Sequence, residues 1–191
     1  MSSVRLYLDY VDPGSYLMEV RVARVTGEEC VAVERIPWEV RAPPTRLIDP
    51  DDPAWRDHWE RRADEARREG LELVRPTLVP WTRKAHELGL HAREKGCFDR
   101  IHIALLRAVH EQGRDVGRVD VLVELARECG LDASESKAVL DVDRHTEAVV
   151  ALRVEAVALG VSGVPTLVRV GDGARLEGVH DTEVIRDFLA A

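Results

Sequence analysis

The first 37 residues constrain the fold more than any other part of this chain. Val4 to Val11 is an apolar, tyrosine-bearing run that stops at Asp12-Pro13-Gly14, and helix-compatible sequence begins at once. Asp12 suits an N-cap and Pro13 the first helical position, so the spacing predicts a helix from there to about Val25, stopped by Gly27. Cys30 to Ile36 is β-branched and ends at Pro37. Strand, helix, strand in this order implies two parallel strands joined by a right-handed crossover. That commits the N-terminus to an α/β sheet. The strand-to-helix junction also presents free N–H groups and a positive dipole end. The turn at 12–15 is therefore the first place to look for a site.

Pro43, Pro44, Pro50 and Pro53, with Asp49, Asp51 and Asp52 among them, mark a boundary. Trp55 to Glu69 reads as a charged helix whose Arg and Glu residues form a solvated face, and Leu71 to Val74 as a short extended link. From Trp81 to about Leu159 the apolar residues keep a helical period, with helices at 81–95, 97–112, 117–129, 133–141 and 144–159. Phe98, Ile101, Leu105 and Val109 make one apolar stripe; Val119, Leu122, Ala126 and Cys129 make another. With so few strands available, these helices must pack on one another. Strand character returns at Leu167 to Val170, and Gly171-Asp172-Gly173 turns the chain so that Ala174 to Glu177 pairs back. Thr182 to Leu189 closes the chain as a helix capped by Asp181. The domain reading is an α/β domain from 1–40 and 144–191, interrupted by a linker and helical insertion at 41–143.

A length of 191 residues suits one domain carrying such an insertion. The net charge of −8 and pI near 5.4 argue against a nucleic-acid or anionic-membrane partner, either of which selects a basic face. No apolar run approaches the ~20 residues of a membrane span, and because Met1 to Arg5 leads straight into the strand, no signal peptide is expected. Cys30, Cys97 and Cys129 form neither a CxxC pair nor a metal cluster. A reduced, cytoplasmic protein is expected. Cys30 and Cys129 read as small core residues, while Cys97 stands at a helix start where a dipole lowers a thiol's pKa. The seven histidines show no HExxH motif and no tight ligand spacing, so no metal is expected.

The order β-α-β, helical block, α-β-β-α, with Gly163-Val164-Pro165-Thr166 before the third strand, resembles the thioredoxin fold with a helical insertion. More narrowly it is similar to the DsbA-like family of thiol–disulfide oxidoreductases. Relatives of that family include kappa-class glutathione transferases and 2-hydroxychromene-2-carboxylate isomerases. The segments Ala85 to Gly89, Ala92 to Gly96 and Leu159 to Thr166 have the family's cast. The resemblance implies a cis bond before Pro165, lying beside the active-site turn, and a Val164 backbone that faces bound substrate.

At that turn the pattern departs from the family. The CxxC positions are occupied by Asp12, Pro13, Gly14 and Ser15. Thiol exchange needs one thiolate to attack and a second sulfur to resolve the mixed disulfide, so dithiol chemistry is not expected. The glutathione-using relatives place a serine where this chain has Asp12, and a carboxylate there repels a thiolate. Their Gly-Gln-Asp-Arg segment is replaced by Gly178-Val179-His180-Asp181. The expectation is thus a redox-inactive family member without a cofactor, keeping a groove for a peptide or small molecule. Tyr10, Tyr16, Val164, Pro165 and His180 are its candidate binding residues. Two alternatives stand beside it. One is a glutathione-dependent isomerase or transferase using Ser15 or Tyr16. The other is a scaffold, as a homodimer or as the dimer partner of an active relative.

Overall fold

The computed structural model describes residues 4–29 and 32–191. Along them run β1 (Val4–Leu8), α1 (Pro13–Glu29), β2 (Val33–Pro37), α2 (Pro53–Arg68), α3 (Arg83–Glu94) and α4 (Phe98–His110). After these come α5 (Val119–Glu128), α6 (Ala133–Asp141), α7 (Thr146–Ala158), β3 (Thr166–Arg169), β4 (Arg175–Glu177) and α8 (Thr182–Ala190). The chain divides into two compact units, Met1–Val40 with Leu152–Ala191, and Arg41–Ala151. The second division falls within α7, not at 144, because the residues from Leu152 onward pack into the core of the first unit.

The first unit holds a sheet of order β2-β1-β3-β4. β2 is parallel to β1, with Val4 opposite Val33 and Leu8 opposite Pro37. β3 runs antiparallel to β1, and β4 antiparallel to β3. This is a mixed α/β sheet of the thioredoxin-like class. β1 is central, so both of its faces are buried. On one face Tyr7 packs with Ile36, Trp38, Val168, Val161 and Ala156. Leu6 and Leu8 alternate to the other face and are buried as fully. Each such side chain contributes about 1.5–3 kcal/mol by leaving water. α1 and α8 pack on each other, with Leu17, Met18, Val22 and Ile185 fully buried. Glu19 of α1, itself buried, takes the Arg35 guanidinium of β2 in a two-point fork at 3.0 and 2.7 Å.

Two expectations are corrected here, and a third falls partly outside the described residues. α1 runs through Gly27 to Glu29, since that glycine meets no neighbour and stays in a helical conformation. The second strand is seen from Val33; Cys30 and Val31 lie outside the described residues. Asp181 precedes α8 but makes no side-chain cap bond, lying instead 3.5 Å from Arg21.

The second unit is all helical. Asp52 caps α2 by accepting the Ala54 and Trp55 N–H groups at 2.9 and 3.2 Å, and Asp132 caps α6 through Glu135 N–H at 2.7 Å. Leu88, Ile101, Leu105, Leu106, Leu122 and Leu140 are fully buried where α3, α4, α5 and α6 meet. Between α6 and α7 the chain passes through Asp143 at φ 55°, a left-handed conformation that Asp tolerates better than most residues. No helix among the described residues is long and apolar enough to cross a membrane.

Candidate functional site

The turn between β1 and α1 is built from three polar residues folded onto one another. Asp12 begins α1 as its sequence context predicts: its carbonyl accepts the Tyr16 N–H at 3.2 Å, the first helical bond. Its Oδ2 accepts both the Ser15 N–H at 2.6 Å and the Ser15 hydroxyl at 2.7 Å. Ser15 Oγ in turn accepts the Asp9 N–H at 3.3 Å. Asp9, at the end of β1, accepts the Val40 N–H through Oδ2 at 2.6 Å. Asp9 and Ser15 are fully buried and Asp12 is 4% exposed. The carboxylate at the helix start is favoured twice, by the orphan N–H groups it satisfies and by the dipole it faces.

The other side of the turn is closed by the start of β3 and the segment after β4. The Val164–Pro165 bond is cis, and Pro165 O accepts the Gly178 N–H at 2.8 Å. A Cβ at Gly14 would lie 3.2 Å from Val179 and 3.3 Å from the Pro165 ring. Only glycine allows this approach without a shift. Val164 is half-buried against the Tyr7 cluster and lies beyond the last rung of both ladders, which end at Thr166.

The remaining candidates are placed as follows. Tyr10 and Tyr16 are buried. His180 is half-buried; its Nε2 lies 2.8 Å from the Glu177 carbonyl, and its own carbonyl accepts Arg21 at 2.9 Å. The structure thus brings together Asp12, Gly14, Ser15 and Pro165, with the hydroxyl and carboxylate facing each other. Asp9 and Val179 escape a reading of motifs alone. The one signal for Asp9 is a carboxylate interrupting an otherwise apolar strand, between Leu8 and Tyr10.

Cys97 and Cys129, the free cysteines among the described residues, belong to the helical unit. Cys97 is buried and its thiol points to the Ala92 carbonyl at 3.6 Å. Cys129 is half-buried at the end of α5 and not part of its core stripe. Burial first, then the neighbouring Glu128 carboxylate, push its thiol up and away from the thiolate form.

If Asp12 acts as a cap, its geometry matters more than its charge. Asp12→Ala should lower unfolding stability by about 1–3 kcal/mol. Asp12→Asn, which can still accept the Ser15 N–H, should recover most of that loss. Urea denaturation of the two variants checks the difference.

Comparison with known proteins covers nearly the whole chain. Residues 3–190 match the DSBA-like thioredoxin domain. The uncharacterized protein YwbO of Bacillus subtilis is 28% identical over 149 residues, 75% of this chain and 74% of that protein. A crystal structure of a probable DsbA oxidoreductase from Streptomyces coelicolor superposes with a TM-score of 0.81 at 25% identity, covering 100% of this chain and 89% of the other. A 2-hydroxychromene-2-carboxylate isomerase superposes at 0.80 with 16% identity, covering 98% and 92%.

Proposed function

The chain belongs to the DSBA-like thioredoxin-domain family, and from that premise we propose that it is a member without dithiol chemistry, which keeps a binding edge for an extended peptide or a small molecule beside Val164 and Pro165. The observation that carries this reading is the 2.7 Å hydrogen bond from Ser15 Oγ to Asp12 Oδ2 at the start of α1. In the active family that place belongs to a pair of sulfurs. A carboxylate and a hydroxyl form no reversible covalent bond with a disulfide, so neither attack nor resolution has a group to perform it. The helix dipole that lowers a thiol's pKa here stabilises Asp12.

The same geometry argues against the glutathione-dependent alternative. The Ser15 hydroxyl is buried, donating to Asp12 and accepting from Asp9 N–H. A thiolate brought to it would meet the Asp12 carboxylate. What supports binding at the edge is the position of Val164 past the end of the β1 and β4 ladders. There an extended chain can add main-chain hydrogen bonds as an extra strand. A reducing, cytoplasmic setting belongs to the same reading, in keeping with the unpaired Cys97 and Cys129.

Two measurements test it. Amide NMR of the labelled protein with reduced insulin B chain should shift the Val164 and Gly178 signals; no shift there at millimolar peptide ends the binding-edge reading. Calorimetry with reduced glutathione should show no binding. Sub-millimolar affinity that disappears in Ser15→Ala would put the isomerase or transferase reading in its place.

A further inference from the structure

The helical unit contains a cluster that the turn chemistry does not use. His91 and Glu94 lie one helical turn apart on α3, and His145 stands just before α7. Spacing along the chain hides this group, since 54 residues separate His91 from His145 (145 − 91). The fold gathers it: one ligand atom from each residue lies within 4.8 Å of the other two. His145 Nε2 is 3.7 Å from Glu94 Oε2, beyond hydrogen-bonding range, and the two imidazole rings are 6.3 Å apart at centroid.

His91 is the informative member. It is fully buried, and neither Nδ1 nor Nε2 has a hydrogen-bond partner among the described residues. His145 is 8% exposed and its Nε2 is likewise unpartnered among them. Buried polar groups are nearly always satisfied, so two imidazoles left unmatched on one carboxylate call for an explanation. Burial, the largest influence on His91, pushes its ring below the ordinary value. Lys95, which also faces His91, is held by Glu135 at 2.6 Å. The backbone at His145 is fixed as well, its main-chain N–H donating to the buried Glu87 carboxylate at 3.2 Å.

We propose that His91, Glu94 and His145 form a binding site for one divalent transition-metal ion, with Zn²⁺ the best match. Two imidazole nitrogens and one carboxylate are a ligand set suited to zinc, and three protein ligands leave a fourth position for solvent. Glu94, with a side chain 51% exposed, provides the entry side. Ligand atoms on a tetrahedral zinc stand about 3.3 Å apart for bonds of roughly 2.0–2.1 Å. The present spread of up to 4.8 Å would therefore have to narrow on binding. A bound ion would cross-link α3 to the start of α7, stabilising the folded state by mass action.

The test uses the full-length, tag-free chain stripped with chelator. Titration with Co²⁺ should give one equivalent of visible d–d absorption, displaced by Zn²⁺, and Zn²⁺ should raise the melting temperature. His91→Gln should abolish both effects. Glu94→Gln, an exposed change that leaves the fold intact, should weaken binding at least ~10-fold and cancel the melting shift. His58→Ala and a variant with all three cysteines replaced by alanine should bind as the unmodified chain does. Absence of uptake by the unmodified chain overturns the proposal. So does uptake that survives both His91→Gln and Glu94→Gln, or that is lost with the cysteines.

Discussion

Asp12→Cys/Ser15→Cys is expected to give this chain a disulfide-exchange activity at least ~10-fold above the unmodified protein with insulin as substrate. The scaffold for it is in place. The two side chains already meet, with Oδ2 and Oγ 2.7 Å apart, and positions 12 and 15 have the spacing of a CxxC pair. The first would sit at the N-terminus of α1, where the dipole favours a thiolate. Gly14 and Pro165 provide the close approach that leaves the turn compact. Each single variant should stay inactive, because one sulfur can attack but nothing nearby resolves the adduct. The double variant also gives up the Asp12 cap, at a stability cost of about 1–2 kcal/mol. A correctly folded double variant with no activity would show that the turn does not stand where the family's dithiol works.

The largest effect on stability is expected from Lys84→Met, a loss of about 2–4 kcal/mol, somewhat less than breaking a fully buried ion pair costs because the Lys84 side chain is partly exposed. Glu87 is fully buried on α3 and accepts the His145 N–H, the Thr146 hydroxyl at 2.9 Å and the Lys84 ammonium at 3.0 Å. Lys84 also reaches the Leu140 carbonyl and the Asp143 carboxylate, stitching α3 to the α6–α7 connection. Removing the ammonium leaves a buried carboxylate without its cation. Burial is the strongest single influence on Lys84 and acts downward, but the bonds to Asp143 and Glu87 outweigh it and hold the ammonium above 10.5. A raised folded-state value means the stabilisation is complete below the ordinary lysine range and is lost as pH rises through the folded value. The urea midpoint of the unmodified protein should therefore fall at strongly alkaline pH. Lys84→Met should begin lower and lack that part of the fall.

The fold was legible where local signals agree with tertiary ones. Asp12-Pro13 opens α1, Gly96, Gly113 and Gly130 separate helices in left-handed turns, and Ile101, Leu105 and Val109 of α4 and Leu122 and Ala126 of α5 are buried as their spacing predicts. Legibility failed where a local signal was overruled. Gly27 costs a helix roughly 1 kcal/mol relative to alanine, yet α1 passes it, because the rest of its buried face repays that cost. Asp181 has the composition of a cap, but Arg21 nearby competes for its carboxylate.

The candidate site divides the same way. That residues 12–15 carry no cysteine is plain in the sequence, but what stands there instead is a matter of geometry. Only the fold shows that Ser15 donates to Asp12 while accepting from Asp9, so the hydroxyl proton is already committed. Tyr10 and Tyr16 flank the turn in sequence, yet burial places both in the core. The histidine cluster was invisible because helix packing, not spacing, brings His145 to His91 and Glu94.

The central claim is that the protein is redox-inactive. Steady-state reduction of insulin by dithiothreitol tests it most directly, with the unmodified chain and its Cys97→Ala form measured beside a reductant-only control. The account predicts that both proteins match the control. A rate above the control that persists in Cys97→Ala would contradict it.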